Sequence, residues 1–114
     1  MLFIRQGIEH APFVKRESIG GFIMEFVKKG NSFVYEVDGQ LLGEITYAFV
    51  KDNVIDVNHT YVSETLRGQG IAKKLVDTVV AYAKEEQLKI IPTCPYVVAL
   101  FEKDDVYQEI MFKE

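Results

Sequence analysis

A chain of 114 residues, 48% hydrophobic and 26% charged, has the composition of one globular domain over residues 1–114 and excludes a two-domain machine, a disordered chain or a coiled coil. Its net charge of -4 speaks against a nucleic-acid-binding surface, which needs a basic field over the phosphates. A single cysteine excludes an internal disulfide and a thiolate zinc site, and no apolar stretch approaches the ~18 residues of a membrane span, so a cytoplasmic protein without metal or membrane partner is expected.

Residues 1–21 carry no clear period, and a short linker is placed near Glu17 to Gly21. Aromatic and β-branched residues then favour a strand over 22–28. Gly30-Asn31 marks a turn, FVYEV (33–37) a second strand, and Asp38-Gly39 a tight hairpin whose two central residues both need positive φ. Leu41 to Val50 places Ile45, Tyr47 and Phe49 on one face and Glu44 and Thr46 on the other, and Asp52-Asn53 turns the chain into a strand over 54–62. Three or four antiparallel strands in series result. The period then changes. Ala72, Leu75, Val76, Val79, Val80 and Ala83 fall in one stripe along a helix over 71–86. Leu88 to Thr93 reads as a short buried strand ended by Pro92 and Pro95, and Pro95 opens a last helix running towards Asp104. Strand, long helix, strand is a crossover that makes 54–62 and 88–93 parallel. The expected fold class is mixed α/β: an antiparallel meander, a β-α-β crossover and a short C-terminal helix.

Between strand 54–62 and the long helix lies LRGQGIAKKL, residues 66–75. A helix N-terminus leaves amides unpaired, and Gly68 and Gly70 let the backbone approach an anion closely. No Gly-Lys-Ser/Thr follows, and Lys73 stands where a G-x-G-x-x-G fingerprint needs its third glycine. A glycine-rich turn without ligand is the plain alternative. Arg67, Gly70 and Ala72 in this setting resemble the R/Q-x-x-G-x-G/A signature of the GNAT superfamily of acyl-CoA-dependent N-acetyltransferases. HTYV (59–62) and IIPTCPY (90–96) look like its small single-domain branch, which carries a cysteine after the fifth strand; the likeness covers residues 33 to about 103.

The resemblance implies acetyl-CoA (CoA) as the acyl donor and an amine on a small molecule, peptide or protein as the acceptor. It implies that backbone amides across Gly68, Gln69, Gly70, Ala72 and Lys73, next to Arg67, hold the pyrophosphate. The strand edge at Tyr61 and Val62 takes the pantetheine arm, and Lys73 or Lys74 meets the 3′-phosphate. A homodimer is compatible with the chain. Larger members insert helices between their first two strands to wall the acceptor site; with few residues to spare here, that side is expected to be open.

Acetyl transfer needs a neutral amine, a polarised thioester carbonyl and a proton for the departing thiolate. His59 stands just before the cofactor turn, where an imidazole suits a general base. Strict alternation puts it on the face of Ile55, Val57 and Tyr61, which suits a structural histidine instead; a strand bulge would reverse that facing. Cys94, between fifth strand and last helix, is either a nucleophile or acceptor contact, or a buried hydrophobe. The resemblance also implies a tyrosine on the last helix as the acid, but Leu100 and Phe101 stand there, leaving Tyr96 and Tyr107 as chemical substitutes. Glu64 is a further candidate base, and His10 has no assigned role. The rival from another class is a module that binds acyl-CoA without turnover, favoured by the missing tyrosine and walls.

Overall fold

The period-two and period-3.6 patterns become six strands and two helices among the described residues, 13–19 and 21–113, of the computed structural model. The sheet runs β1 (Val14–Ile19), β2 (Phe22–Lys29), β3 (Ser32–Val37), β4 (Gln40–Lys51), β5 (Val54–Val62), β6 (Lys89–Pro92), each strand beside the next. Pairs up to β5 are antiparallel, whereas β5 and β6 are parallel. The long helix α1 (Ile71–Glu86) makes that crossover, and α2 (Pro95–Lys103) with a 3-10 turn at Asp105–Tyr107 follows β6. The mixed α/β class expected from the sequence is the one observed.

Local chemistry sets most of these boundaries. Asp38 and Gly39 have φ of 51° and 80°, the geometry a two-residue hairpin between Val37 and Gln40 requires. In α1, Leu75, Val76, Val79, Val80 and Ala83 are buried, in one cluster with Phe33, Ile45, Ile55 and Ile90 from the sheet. Truncating a wholly buried member such as Leu75 to alanine costs about 2–5 kcal/mol. Ala72 lies at the edge of this stripe rather than in it, only partly buried. Thr78 is buried on the same helix because its hydroxyl donates to the Lys74 carbonyl at 2.7 Å, which satisfies the polar group internally. The helix ends on Gln87 in the left-handed conformation, with Leu88 N–H closing on the Ala83 carbonyl at 2.7 Å.

Three expectations need correction. Glu17 to Gly21 is no linker: Glu17 lies inside β1, opposite Met24, and the chain turns at Gly21 with φ of 89°. The meander accordingly has five antiparallel strands rather than three or four. The strand predicted over 88–93 is shorter, and its outer edge is covered, since Ile90 N–H donates to the Ile110 carbonyl and Phe112 N–H to the Ile90 carbonyl. His10 lies outside the described residues.

Candidate active site at the β5–β6 fork

Pro92 has no N–H with which to continue the β5–β6 ladder. The next two amides, of Thr93 and Cys94, both converge on the Val57 carbonyl at 3.1 Å. β6 therefore stops opposite Val57, while β5 continues to Val62 against β4 alone. The parallel pair opens into a fork whose inner edge is the unpaired side of β5.

A bulge decides what faces that fork. Thr46 pairs with His59 and Tyr47 with Val57, so Asn58 is an extra residue, pinned by a Thr46 hydroxyl bond to its Oδ1 at 2.8 Å. Val57 points into the core, yet Thr60 also reaches the core side, where its Oγ1 lies 3.4 Å from Cys94 Sγ. His59 is consequently turned to the opposite face and exposed. The shared face with Ile55 and Val57 that strict alternation predicts for His59 is thus overturned, because two residues of β5 oppose one of β4.

At the mouth of the fork, Gly68 and Gly70 have φ of 86° and 79°, and Gly70 caps α1 without any side-chain hydrogen bond. The first bond into the helix runs from Lys74 N–H to the Gly70 carbonyl at 3.2 Å, so the amides of Ile71, Ala72 and Lys73 precede the ladder. A β-carbon built on either glycine meets nothing within 4 Å. This uncapped N-terminus borders a cleft of about 450 Å³ lined by Thr60, Tyr61, Val62, Leu66, Arg67, both glycines, Ile71, Ala72 and Tyr96. Arg67 is fixed across it by an Nε bond to the Val62 carbonyl at 3.4 Å, and Gln69 is exposed between the two glycines. The two lysines are engaged within the protein: Lys73 with Asp77 at 3.0 Å and the Tyr107 ring at 5.8 Å, Lys74 with Glu17 at 3.6 Å.

Cys94 caps α2 and is only 7% exposed. Burial pushes its thiol up, but the Thr60 hydroxyl and the backbone N–H groups of Val97, Tyr96 and Thr60 outweigh that and hold it below the ordinary thiol value. Tyr96, the second residue of α2 and part of the cleft lining, has its phenol raised by burial, opposed by Lys73 and aided by Asp77. Tyr107 is different. It is buried, stacks on Phe101 with centroids 4.8 Å apart and donates to Asp77 Oδ1 at 2.5 Å; burial and that bond push it up to about 12. Of the two substitute acids, the fold brings Tyr96 to the cleft and commits Tyr107 to packing. Leu100 and Phe101 are core residues, and Glu64 is exposed at the start of a 3-10 turn, outside the cleft lining. The sequence alone did not single out Thr60, whose facing depends on the bulge. Among the described residues no cluster of His, Cys, Asp and Glu can hold a metal ion, and no helix is long and apolar enough to cross a membrane.

A curled mixed sheet, forked at a β-α-β crossover beside a glycine-capped helix N-terminus, defines an acetyltransferase fold. Residues 32–110 match the family model of the GCN5-related N-acetyl-transferases, and the chain belongs to that family. It is similar to Protein NATD1 of Homo sapiens, 38% identical over 53 residues that make up 46% of this chain and 47% of that one. The chain thus spans about half the length of the curated relatives it matches. A GCN5-like protein from Staphylococcus aureus, solved by NMR, superposes with a TM-score of 0.64 at 41% identity, over 76% of this chain and 86% of that one. A Bacillus anthracis protein crystallised with acetyl coenzyme A shares the fold at a TM-score of 0.50 and 16% identity, over 81% of this chain and 67% of the other.

Proposed function

We propose that this chain is an acetyl-CoA-dependent N-acetyltransferase whose acyl slot is the β5–β6 fork and whose acceptor is an amine. The observation that carries this is the continuity of one cleft. An uncapped helix N-terminus with two left-handed glycines lies at one end, and Thr60, in contact with the depressed thiol of Cys94, lies at the other. The free amides from Gly68 through Lys73 suit a pyrophosphate, with Arg67 beside them. The unpaired edge near Tyr61 and Val62 suits the amide-bearing pantetheine arm, and Lys73 or Lys74 reaches the 3′-phosphate by exchanging its carboxylate partner. The occupied cofactor in the Bacillus anthracis relative supports the choice of ligand.

Cys94 thiolate attacks the thioester carbonyl, so one carbon–sulfur bond forms as that to CoA breaks, and Tyr96 gives the leaving thiolate its proton. The neutral amine then attacks the acyl-cysteine carbon, and the carbon–nitrogen bond forms as the carbon–sulfur bond to Cys94 breaks. The surplus amine proton passes to the Tyr96 phenolate, which restores the phenol while Cys94 leaves as thiolate. Backbone N–H groups at the start of α2, which already favour the Cys94 thiolate, are the donors for the developing charge in this reading. Native mass spectrometry with acetyl-CoA tests this: a bound-cofactor mass and a covalent acetyl increment lost in Cys94→Ala are expected. Full activity in Cys94→Ala reduces the cysteine to packing and leaves direct transfer with His59 or water as base. The burial of Leu100 and Phe101 on α2 favours a second reading, a CoA-binding module without turnover, marked by a bound mass with neither acetyl increment nor acetylated amine.

A further inference from the structure

We infer that Thr60 is a positioning residue for Cys94: its hydroxyl donates to the sulfur and fixes where the thiolate points within the fork. The contact joins residues 34 apart in the chain, at 3.4 Å between Oγ1 and Sγ. A hydroxyl and a thiol can donate either way, but once the sulfur is ionised only the hydroxyl has a proton to give. Threonine is β-branched, so the direction of its hydroxyl follows from the strand backbone with little rotameric freedom. That backbone is set by the extra residue Asn58, held by Thr46 at 2.8 Å. Regular pairing would present His59 to the cysteine and turn Thr60 outward. The bulge therefore selects a neutral donor for the sulfur and sends the imidazole to the other face.

The surroundings of the thiol leave Thr60 this role. The thiol's side-chain contact is the Thr60 hydroxyl of β5, and the nearby backbone amides of Val97, Tyr96 and Thr60 favour the thiolate without a side-chain cap bond into α2. Among the described residues no charged side chain acts on it; the Lys73–Asp77 pair of α1 acts on Tyr96 instead. Removing the hydroxyl thus removes the side-chain donor seen among the described residues and leaves desolvation less opposed. This role rests on Cys94 being the acyl-accepting group, but it is read on the thiol without any CoA.

The experiment is the pH dependence of iodoacetamide alkylation of the full chain in wild type, Thr60→Val, Thr60→Ala and Thr60→Ser, with folding checked by circular dichroism. In Thr60→Val the midpoint moves up by about half to one pH unit, slowing alkylation at pH 7 roughly three- to tenfold, while the high-pH plateau is kept. Thr60→Ser restores a midpoint near wild type. Where the valine variant fails to fold, Thr60→Ala gives the same upward shift. An unchanged midpoint in the folded hydroxyl-less variants overturns the assignment, as does a shift that serine fails to rescue. A wild-type chain that takes up no acetyl group yet shows the shift and its rescue loses the transfer mechanism and keeps the Thr60–Cys94 pairing.

Discussion

Gly70 holds φ of 79° with open space where a β-carbon would stand, so its substitution separates backbone strain from occupancy. Gly70→Ala is expected to lower unfolding free energy by about 1–2 kcal/mol, the cost of a left-handed L-residue, and to keep CoA binding. Gly70→Val carries the same strain and adds bulk at the proposed pyrophosphate site, so it is expected to abolish the CoA-induced rise in melting temperature. Calorimetry with and without CoA checks both, and normal stabilisation of Gly70→Val by CoA would show the turn to be only structural. His59, being exposed and on the face away from Cys94, contrasts with a core histidine: His59→Ala should change stability by less than about 0.5 kcal/mol. It should keep turnover and CoA affinity if the acyl-cysteine route holds, whereas a turnover loss of roughly 10²-fold at unchanged CoA affinity would mark His59 as the base of direct transfer. Gly68, Gly70 and Cys94 were legible because glycine and cysteine carry their chemistry in their identity. Thr60 and the facing of His59 were not, since both follow from a pairing between Thr46 and Asn58 that one strand's pattern does not contain.

The two ends of α1 are held differently. Its N-terminus is left uncapped, while its C-terminus is closed by Gln87 at φ of 61°. Gln87→Gly should relieve that strain and stabilise the protein by about 0.5–1 kcal/mol in a denaturant titration, with no effect on CoA binding. β1 is tied to the helix through Glu17, which bonds Lys15 at 2.7 Å and pairs with Lys74 at 3.6 Å. The Lys15 bond, against some burial, and then the Lys74 charge hold the Glu17 carboxyl below its ordinary value. Its contribution is therefore present above the unfolded-state carboxylate value and lost as pH falls through the lowered one. With both partners partly exposed, Glu17→Gln should cost no more than about 1 kcal/mol at neutral pH, and less at pH 3. The bounds of β5 and α1 could be read because turn residues and an apolar stripe are local signals. β1 could not: Lys15, Arg16 and Glu17 mask its alternation, as charged residues on an outer strand do. The addition of residues 110–112 to β6 was equally hidden, being a pairing across the whole of α2.

At the scale of the molecule, one sheet supplies both the fork and the frame that keeps it open. Pro92 ends the ladder, α1 sets its N-terminus at the fork's mouth, and the turn at Thr93 and Cys94 sets the thiol against Thr60. A ligand that binds only this folded arrangement stabilises it by mass action, about 2.7 kcal/mol at a hundred times its Kd, enough to raise the melting temperature by several degrees. The most direct measurement is an NMR titration of the ¹⁵N-labelled chain with CoA, which reads each backbone amide separately. The amides of Gly68, Gly70, Ile71, Ala72 and Lys73 should shift together with those of Thr60 and Val62, at one common affinity, while those of β1 and the far end of α1 stay in place. Saturation with millimolar CoA that leaves the Gly68 to Lys73 amides unmoved, or shifts confined to another surface, would contradict the account.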